Sequence, residues 1–555
     1  MAITTSKTLT LLEQAKSSYG PAYAEAKLAL LMRLEHRRLR TARAVIRLHE
    51  ILCFLRAYPD NARVLAQTER MLGNFHRRFD LRRHRAALSD SGIAGTAITY
   101  RFYWSTAHWL ARRWPEWFQF DRGDIEPAER VRAALPLLVT PAESAWLKQS
   151  HVPAFEALDR LRAQGETDAV FLVRRVEAMP GDSATREAFW DAIDASFVLK
   201  PGSGTPSRTH AKYAGVPVSL RRRPLRCTRP DLREQIALAP RAVHERSPRE
   251  GVRLLDLARG VMVTRSRDLD AFAYGDPRDV RIVDDGDGLA FMVNGVLPRR
   301  RALIAGTCGY LTLHNGVPVG YGDLILVGRS AAVAFNTFET FRGGEAAWIF
   351  ARLLAMIRHL FGTRSISLDP YQLGYRNEDG IASGAWWFYF KLGFRPQAPE
   401  ARRIMQAELA RMKAEPGYRS ERATLRKLAA WHLFFDLDAS HSAGLPPIAE
   451  IGARVARDLA RRAGANRERA LKECSSEAMH LFGLRSLHGF TPDERLAWMR
   501  WSPLMVTLQG LQRWSAAEKR ALVRVVRTKG GRRESDFVAQ FAAHPKLEQA
   551  LFSAA

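Results

Sequence analysis

Cysteine is scarce in this chain. Only Cys53, Cys227, Cys308 and Cys474 occur in 555 residues, with no CxxC pair and no histidine at zinc-ligand spacing. That excludes a disulfide framework and a zinc-finger type of site. Long apolar runs are missing too. No stretch approaches the ~20 uncharged apolar residues of a spanning helix. The opening MAITTSKTLTLLEQAK meets Glu13 before a secretory-type apolar core can form. The expectation is a cytoplasmic protein with reduced thiols. Acidic residues are the third shortage: 58 Asp and Glu stand against 85 Lys and Arg, a formal net charge of +27. An excess of that size favours polyanionic partners: nucleic acid, acidic proteins, anionic membrane surfaces or phosphorylated small molecules, without choosing among them.

What is present is a globular composition, 46% apolar, on a chain too long for one ordinary core. Apolar residues recur at helical spacing through 1–200, and that region is expected to be an N-terminal helical domain. Its run AYAEAKLALLMRLEHRRLRTARAVIRLHEILCFLRAY reads as one long helix or two, stopped by Pro59, with Arg33, Arg37, Arg40 and Arg47 on one solvated face. The aromatics Tyr100, Phe102, Tyr103, Trp104, Trp109 and Trp114 read as core or as a pocket lining. Thr140–Glu143 has the form of a capping box. At KPGSGTPSRTHAKYAG the composition shifts to Gly, Pro, Ser and Thr, which marks 201–245 as a linker and basic segment. Arg221, Arg222, Arg223 and Arg226 in SLRRRPLRC form the densest positive cluster, a candidate site for nucleic acid or another polyanion.

From about Val261 the period changes to alternation. VRIVDDGDGLAFMVNGVL predicts a hairpin at its DGDG tip. The twelfth position counted from Asp284 is Gly295 rather than Glu, so a calcium loop is rejected. A second hairpin turns at His314-Asn315-Gly316, and SAAVAFNTFETF gives a further strand. RGGEAAWIFARLLAMIRHLFG then predicts a helix from Glu345 to Leu360, and the crossover should leave its flanking strands parallel. After SISLDPYQLG comes another helix, ASGAWWFYFKLGF. Residues 246–400 therefore read as one α+β unit and 401–555 as a C-terminal helical region, with LDASHSAGLPP a boundary within it. TPDERLAWM and SAAEKRALV carry capping-box signatures.

A helix N-terminus suits a phosphate, through unpaired N–H groups and the positive end of the peptide dipoles, and Gly343 and Gly344 permit close approach. RGGEAA resembles the pyrophosphate loop of the GNAT superfamily of acyl-CoA N-acyltransferases: Arg342 and Ala347 match its ends, while its central glycine is Glu345 here. WWFYFKLGFRP resembles that family's closing segment, with Tyr389, Lys391, Leu392, Gly393 and Phe394 matching Tyr-x-Lys-Leu-Gly-Phe. The resemblance covers about Val261 to Pro399. It implies a central GNAT-like mixed sheet; with the N-terminal and C-terminal all-helical regions expected from periodicity, the chain reads as multidomain α+β.

The implied chemistry is transfer of an acyl group, from acetyl-CoA or another acyl-CoA, to an amine. The co-substrate would lie along Phe338, Thr340, Phe341, Arg342, Gly343, Gly344, Glu345, Ala346 and Ala347, with no metal. Tyr389 would protonate the departing thiolate, and Glu339 or Asp369 would act as base. Glu339 is placed by strand alternation on the face of Thr337 and Phe335. A second reading makes the GNAT-like fold a non-catalytic scaffold whose arginines engage nucleic acid or an acidic partner.

Overall fold

Three helix starts are built as their capping sequences require. At Thr140, Thr491 and Ser515 the hydroxyl accepts from the backbone N–H three residues on, and the glutamate there accepts from the cap's own N–H. The computed structural model of the protein describes residues 4–342, 344–438 and 447–552. Gly343 and most of LDASHSAGLPP lie outside the described residues. The chain is mixed α/β, more than half helical, with one large mixed sheet.

Its strands are β1 (Ile98–Tyr100), β2 (Phe118–Phe120), β3 (Phe197–Leu199), β4 (Ala242–Glu245), β5 (Gly275–Gly286), β6 (Leu289–Val296), β7 (Gly306–His314), β8 (Val317–Val327), β9 (Ser330–Val333), β10 (Asn336–Thr337), β11 (Ser365–Leu368), β12 (Arg395–Pro396) and β13 (Leu433–Asp436). Contacts divide the chain into two units. The first comprises Met1–Leu225, Arg253–Tyr274 and Leu313–Val319; the second comprises Arg226–Val252, Gly275–Thr312 and Gly320–Ala555.

In the first unit the expected all-helical region contains a small antiparallel sheet in the order β1-β3-β2. Each strand is three residues long, too short for its period to show in the sequence. Phe118, Phe120, Phe197 and Leu199 point inward from it, among Phe102, Trp104 and Trp190. The long helical run is two helices, Pro21–Glu35 and Ala42–Ala57, the second capped by Thr41. Segment 201–225 has no helix or strand and is anchored at a few buried residues. Thr209 is fully buried, and the Arg56 guanidinium donates to the Thr209 carbonyl at 2.7 Å and to that of Arg208 at 3.2 Å.

The large sheet runs β12-β13-β11-β9-β8-β7-β6-β5-β4, with β10 also paired to β8. Both expected hairpins turn on two left-handed residues, Asp287-Gly288 between β5 and β6 and Asn315-Gly316 between β7 and β8. The helix Ala346–Phe361 follows β10 and ends on Gly362 in the left-handed region, φ 64°. It crosses back to β11, which lies parallel to β9 with Ser365 opposite Ser330. β13 comes from the region expected to be wholly helical and inserts between β11 and β12, antiparallel to both. Leu433 and Phe435 alternate into the core there, a four-residue signal easily lost between helices. The C-terminal helices share the sheet's core: Trp498, Trp501, Phe537 and Phe541 belong to the same apolar cluster as Phe291, Ile366 and Leu354.

Candidate functional site

The site lies where β9 and β11 part. β9 and β10 are one kinked strand along β8, because Leu324 faces Val333 and Tyr321 faces Asn336, so the register does not slip through the kink. At the bend the Ala334 N–H still donates to the Asp323 carbonyl at 3.0 Å, and the Ala334 carbonyl accepts from the Tyr310 hydroxyl at 2.6 Å. A side chain at Gly322 would meet that carbonyl at 2.1 Å, so only glycine fits beneath the kink. On the far edge, β11 pairs with Ser330–Ala332 alone.

The next backbone pair on that edge, the N–H and C=O of Phe335, has no strand partner. It is matched by the side-chain amide of Gln372. Phe335 N–H donates to Gln372 Oε1 at 3.2 Å, and Gln372 Nε2 donates to the Phe335 carbonyl at 2.8 Å. Nε2 also donates to the Tyr389 hydroxyl at 3.2 Å. One carboxamide thus takes the place of a peptide group in the fork of the sheet and links it to Tyr389.

Tyr389 stands on the short helix Ala385–Lys391, which Gly384 (φ 67°) separates from Glu378–Ser383; the single helix expected over this segment is two. The phenol is buried against Phe350 at 5.3 Å and Phe394 at 6.0 Å between ring centroids. Burial pushes its pKa up, opposed in part by the bond from Gln372. The ring is therefore both core, as its apolar neighbours require, and joined to the fork.

The loop before the long helix differs from the extended strand expected. Glu339–Phe341 is a 3₁₀ turn in which Phe341 N–H bonds the Phe338 carbonyl and Arg342 N–H the Glu339 carbonyl. Three residues per turn put Phe338 and Phe341 on one side, and both are buried, Phe338 stacked on Tyr321 at 5.4 Å. Alternation would have sent them to opposite faces. Glu339 is consequently an exposed turn residue, off the strand face it was assigned to. Thr340 is buried and Arg342 exposed. Gly344 N–H is spent on the Phe341 carbonyl at 3.3 Å.

No side chain caps the helix that follows, so the amides of Ala346 and Ala347 lie at an open N-terminus. Glu345 is buried and accepts from the backbone N–H of Arg226 at 2.8 Å. The Arg226 guanidinium lies 4.1 Å from the Trp348 ring centroid and pairs with Asp287. Sequence reasoning grouped Arg226 with Arg221, Arg222 and Arg223; the structure puts it at the helix start and leaves the other three in the first unit. Among those, Arg222 and Arg223 are exposed, and Arg221 lies over the Tyr19 and Tyr58 rings.

Asp369 caps the turn Pro370–Leu373 by accepting from Tyr371 N–H at 2.8 Å, and its second oxygen faces His432 at 3.6 Å. The neighbouring His432 ring holds its carboxyl below the usual range. Gln372 was missed because a lone glutamine in DPYQLG has no periodic or spacing signal. Among the described residues, no three His, Cys, Asp or Glu side chains converge as metal ligands would, and no helix is long and apolar enough to cross a membrane. Compared with known protein families, curated proteins and solved structures, the chain matches none.

Proposed function

We propose that the second unit is an acyl-CoA-dependent N-acyltransferase with a GNAT-like centre, using acetyl-CoA or a related thioester and an amine acceptor. The observation that carries this reading is the fork between β9 and β11, where the Gln372 carboxamide stands in for a strand partner of Phe335 and joins that edge to a buried phenol. An extended amide-bearing arm that displaces the Gln372 carboxamide has there the backbone partners a strand would offer, and the uncapped N-terminus of Ala346–Phe361 offers N–H groups to a diphosphate. Arg226 and Arg342 add positive charge at that end of the helix.

A bound acyl-CoA supplies a thioester carbonyl open to attack by an amine. Tyr389 then has the proton-donor role: Gln372 occupies a lone pair of its oxygen, which leaves the O–H to be given to a departing sulfur, and burial keeps the phenol protonated. For the base, Asp369 is disfavoured by its lowered pKa and its cap contacts, which leaves Glu339, exposed beside the loop.

Titration with acetyl-CoA tests the reading. Saturation at about a hundred times Kd adds about 2.7 kcal/mol to stability, a rise of several degrees in Tm. Gly344→Glu, which places a carboxylate beside the open amides, abolishes the shift. A flat melting temperature for the unaltered protein at millimolar ligand removes the proposal.

A further inference from the structure

A break between two helices gives the first unit a surface that counting charge along the chain does not reveal. Had Pro21–Glu35 continued into Ala42–Ala57, Arg37 and Arg40 would share one helix face and Arg38 would be turned about 100° from Arg37. Instead the chain is tied down at the break. The Arg78 guanidinium donates to the carbonyls of Glu35 at 3.1 Å and Arg37 at 2.7 Å, and Asp80 accepts from the Leu39 N–H at 2.9 Å. These bonds seat residues 37–40 against the turn Phe79–Arg83. Between them is a concavity of about 390 Å³ whose lining includes Arg37, Arg38, Arg40, Arg83, Phe79 and Thr5.

The charge there is uncompensated. Residues 33–43 and 77–85 hold ten arginines and two carboxylates, and both carboxylates are already engaged. Asp80 serves Arg78 and the amides of Leu39 and Leu81; Glu35 serves Arg70 and Gln67. Arg37, Arg38, Arg40, Arg82 and Arg83 are exposed and have no ion pair among the described residues. Phe79 is 56% exposed, with the Arg38 guanidinium 4.6 Å from its ring centroid.

We propose that this concavity binds single-stranded nucleic acid, its arginines taking phosphodiester oxygens and Phe79 stacking on a base. Guanidinium forks match phosphate oxygens two at a time. An aromatic ring held open among such cations is what unpaired bases stack on in sequence-tolerant sites. A duplex hides its base faces from such a ring, and an acidic peptide gains nothing from it. The inference does not depend on acyl transfer by the second unit. RNA and DNA share the chemistry invoked, so both enter the test.

Fluorescence anisotropy of the full chain with labelled single-stranded RNA, single-stranded DNA, duplex DNA and phosphatidylserine vesicles, over a salt series, decides it. Single strands are expected to bind with a steep negative slope of log affinity against log salt. Each phosphate contact contributes about 0.7 to that slope, so Arg37→Gln, Arg38→Gln, Arg40→Gln and Arg83→Gln together lower it by about 3. Phe79→Ala weakens binding roughly tenfold with the slope unchanged. Arg221→Gln, Arg222→Gln and Arg223→Gln together leave it as it was. Should the quadruple variant melt lower than the parent, Arg83→Gln alone is read, with an expected slope change of about 0.7. The proposal is overturned if the parent protein binds no single strand, if it prefers duplex or vesicles, or if the quadruple or Phe79 variant binds as the parent does.

Discussion

At Tyr389 the hydroxyl oxygen accepts from Gln372 while burial raises the pKa, so the phenol stays protonated across the neutral range. If it delivers the proton to the leaving thiolate, Tyr389→Phe lowers kcat roughly a hundredfold or more. The affinity for acetyl-CoA is unchanged, as measured by steady-state rates beside equilibrium binding. Another titratable group has the opposite problem. His314, buried at the turn of the β7–β8 hairpin, gives Nδ1 to the Ala57 carbonyl at 2.6 Å and packs on Tyr58. Burial, with Arg221 adding to the effect, holds it down to about 3. The folded state stays neutral while the unfolded chain takes up a proton below about 6.5. Stability is therefore complete above that pH and is lost as pH falls toward 3. His314→Gln flattens the fall in Tm between pH 6.5 and pH 4, measured by thermal melts across that range. At this scale the pattern Tyr389-x-Lys391-Leu392-Gly393-Phe394 drew attention to Tyr389, which the structure joins to Gln372. The sequence was silent about Gln372, whose role comes from a fork that exists only in three dimensions.

At the scale of elements, the kink in β9–β10 depends on what lies beneath it. Gly322 sits against the Ala334 carbonyl and the Tyr310 hydroxyl, at distances no Cβ tolerates. Gly322→Ala forces the kink apart or pushes β8 away, at a cost of roughly 2 kcal/mol, seen as a lower urea midpoint. Behind the fork, Arg352 of the long helix makes a two-pronged bond to Asp285 at 2.8 Å and reaches the carbonyls of Gln235 and Leu238. Arg352→Ala leaves a buried carboxylate alone and costs about 3 kcal/mol or more by the same measurement. Helices with capping boxes and hairpins with two-residue left-handed turns were legible because local chemistry alone specifies them. Glu339 was misplaced because two phenylalanines three apart suit a 3₁₀ turn, which alternation cannot detect. β1, β2, β3 and β13 escaped notice because three or four residues carry too little periodicity and owe their pairing to distant partners.

For the whole molecule, the charge of +27 is not spread as a uniform coat. Many arginines are consumed internally, Arg56, Arg301 and Arg352 among them, each donating to buried carbonyls. The arginines at the break between the first unit's helices are left without carboxylates. Composition therefore indicated a class of partner and could not locate where that partner would dock, since location depends on which acids are already engaged.

The first unit is assembled from pieces far apart in the chain: its last part, Leu313–Val319, is translated only after Gly275–Thr312 of the other unit. Asn315 Nδ2 from that late piece bonds the Ala57 and Ser219 carbonyls. As the polypeptide leaves the ribosome, the early helices must wait, incompletely sealed, until the hairpin tip arrives. The first unit therefore cannot be complete before Val319 has been made. A fragment ending at Leu225 would lack the bonds that Asn315 makes to the Ala57 and Ser219 carbonyls.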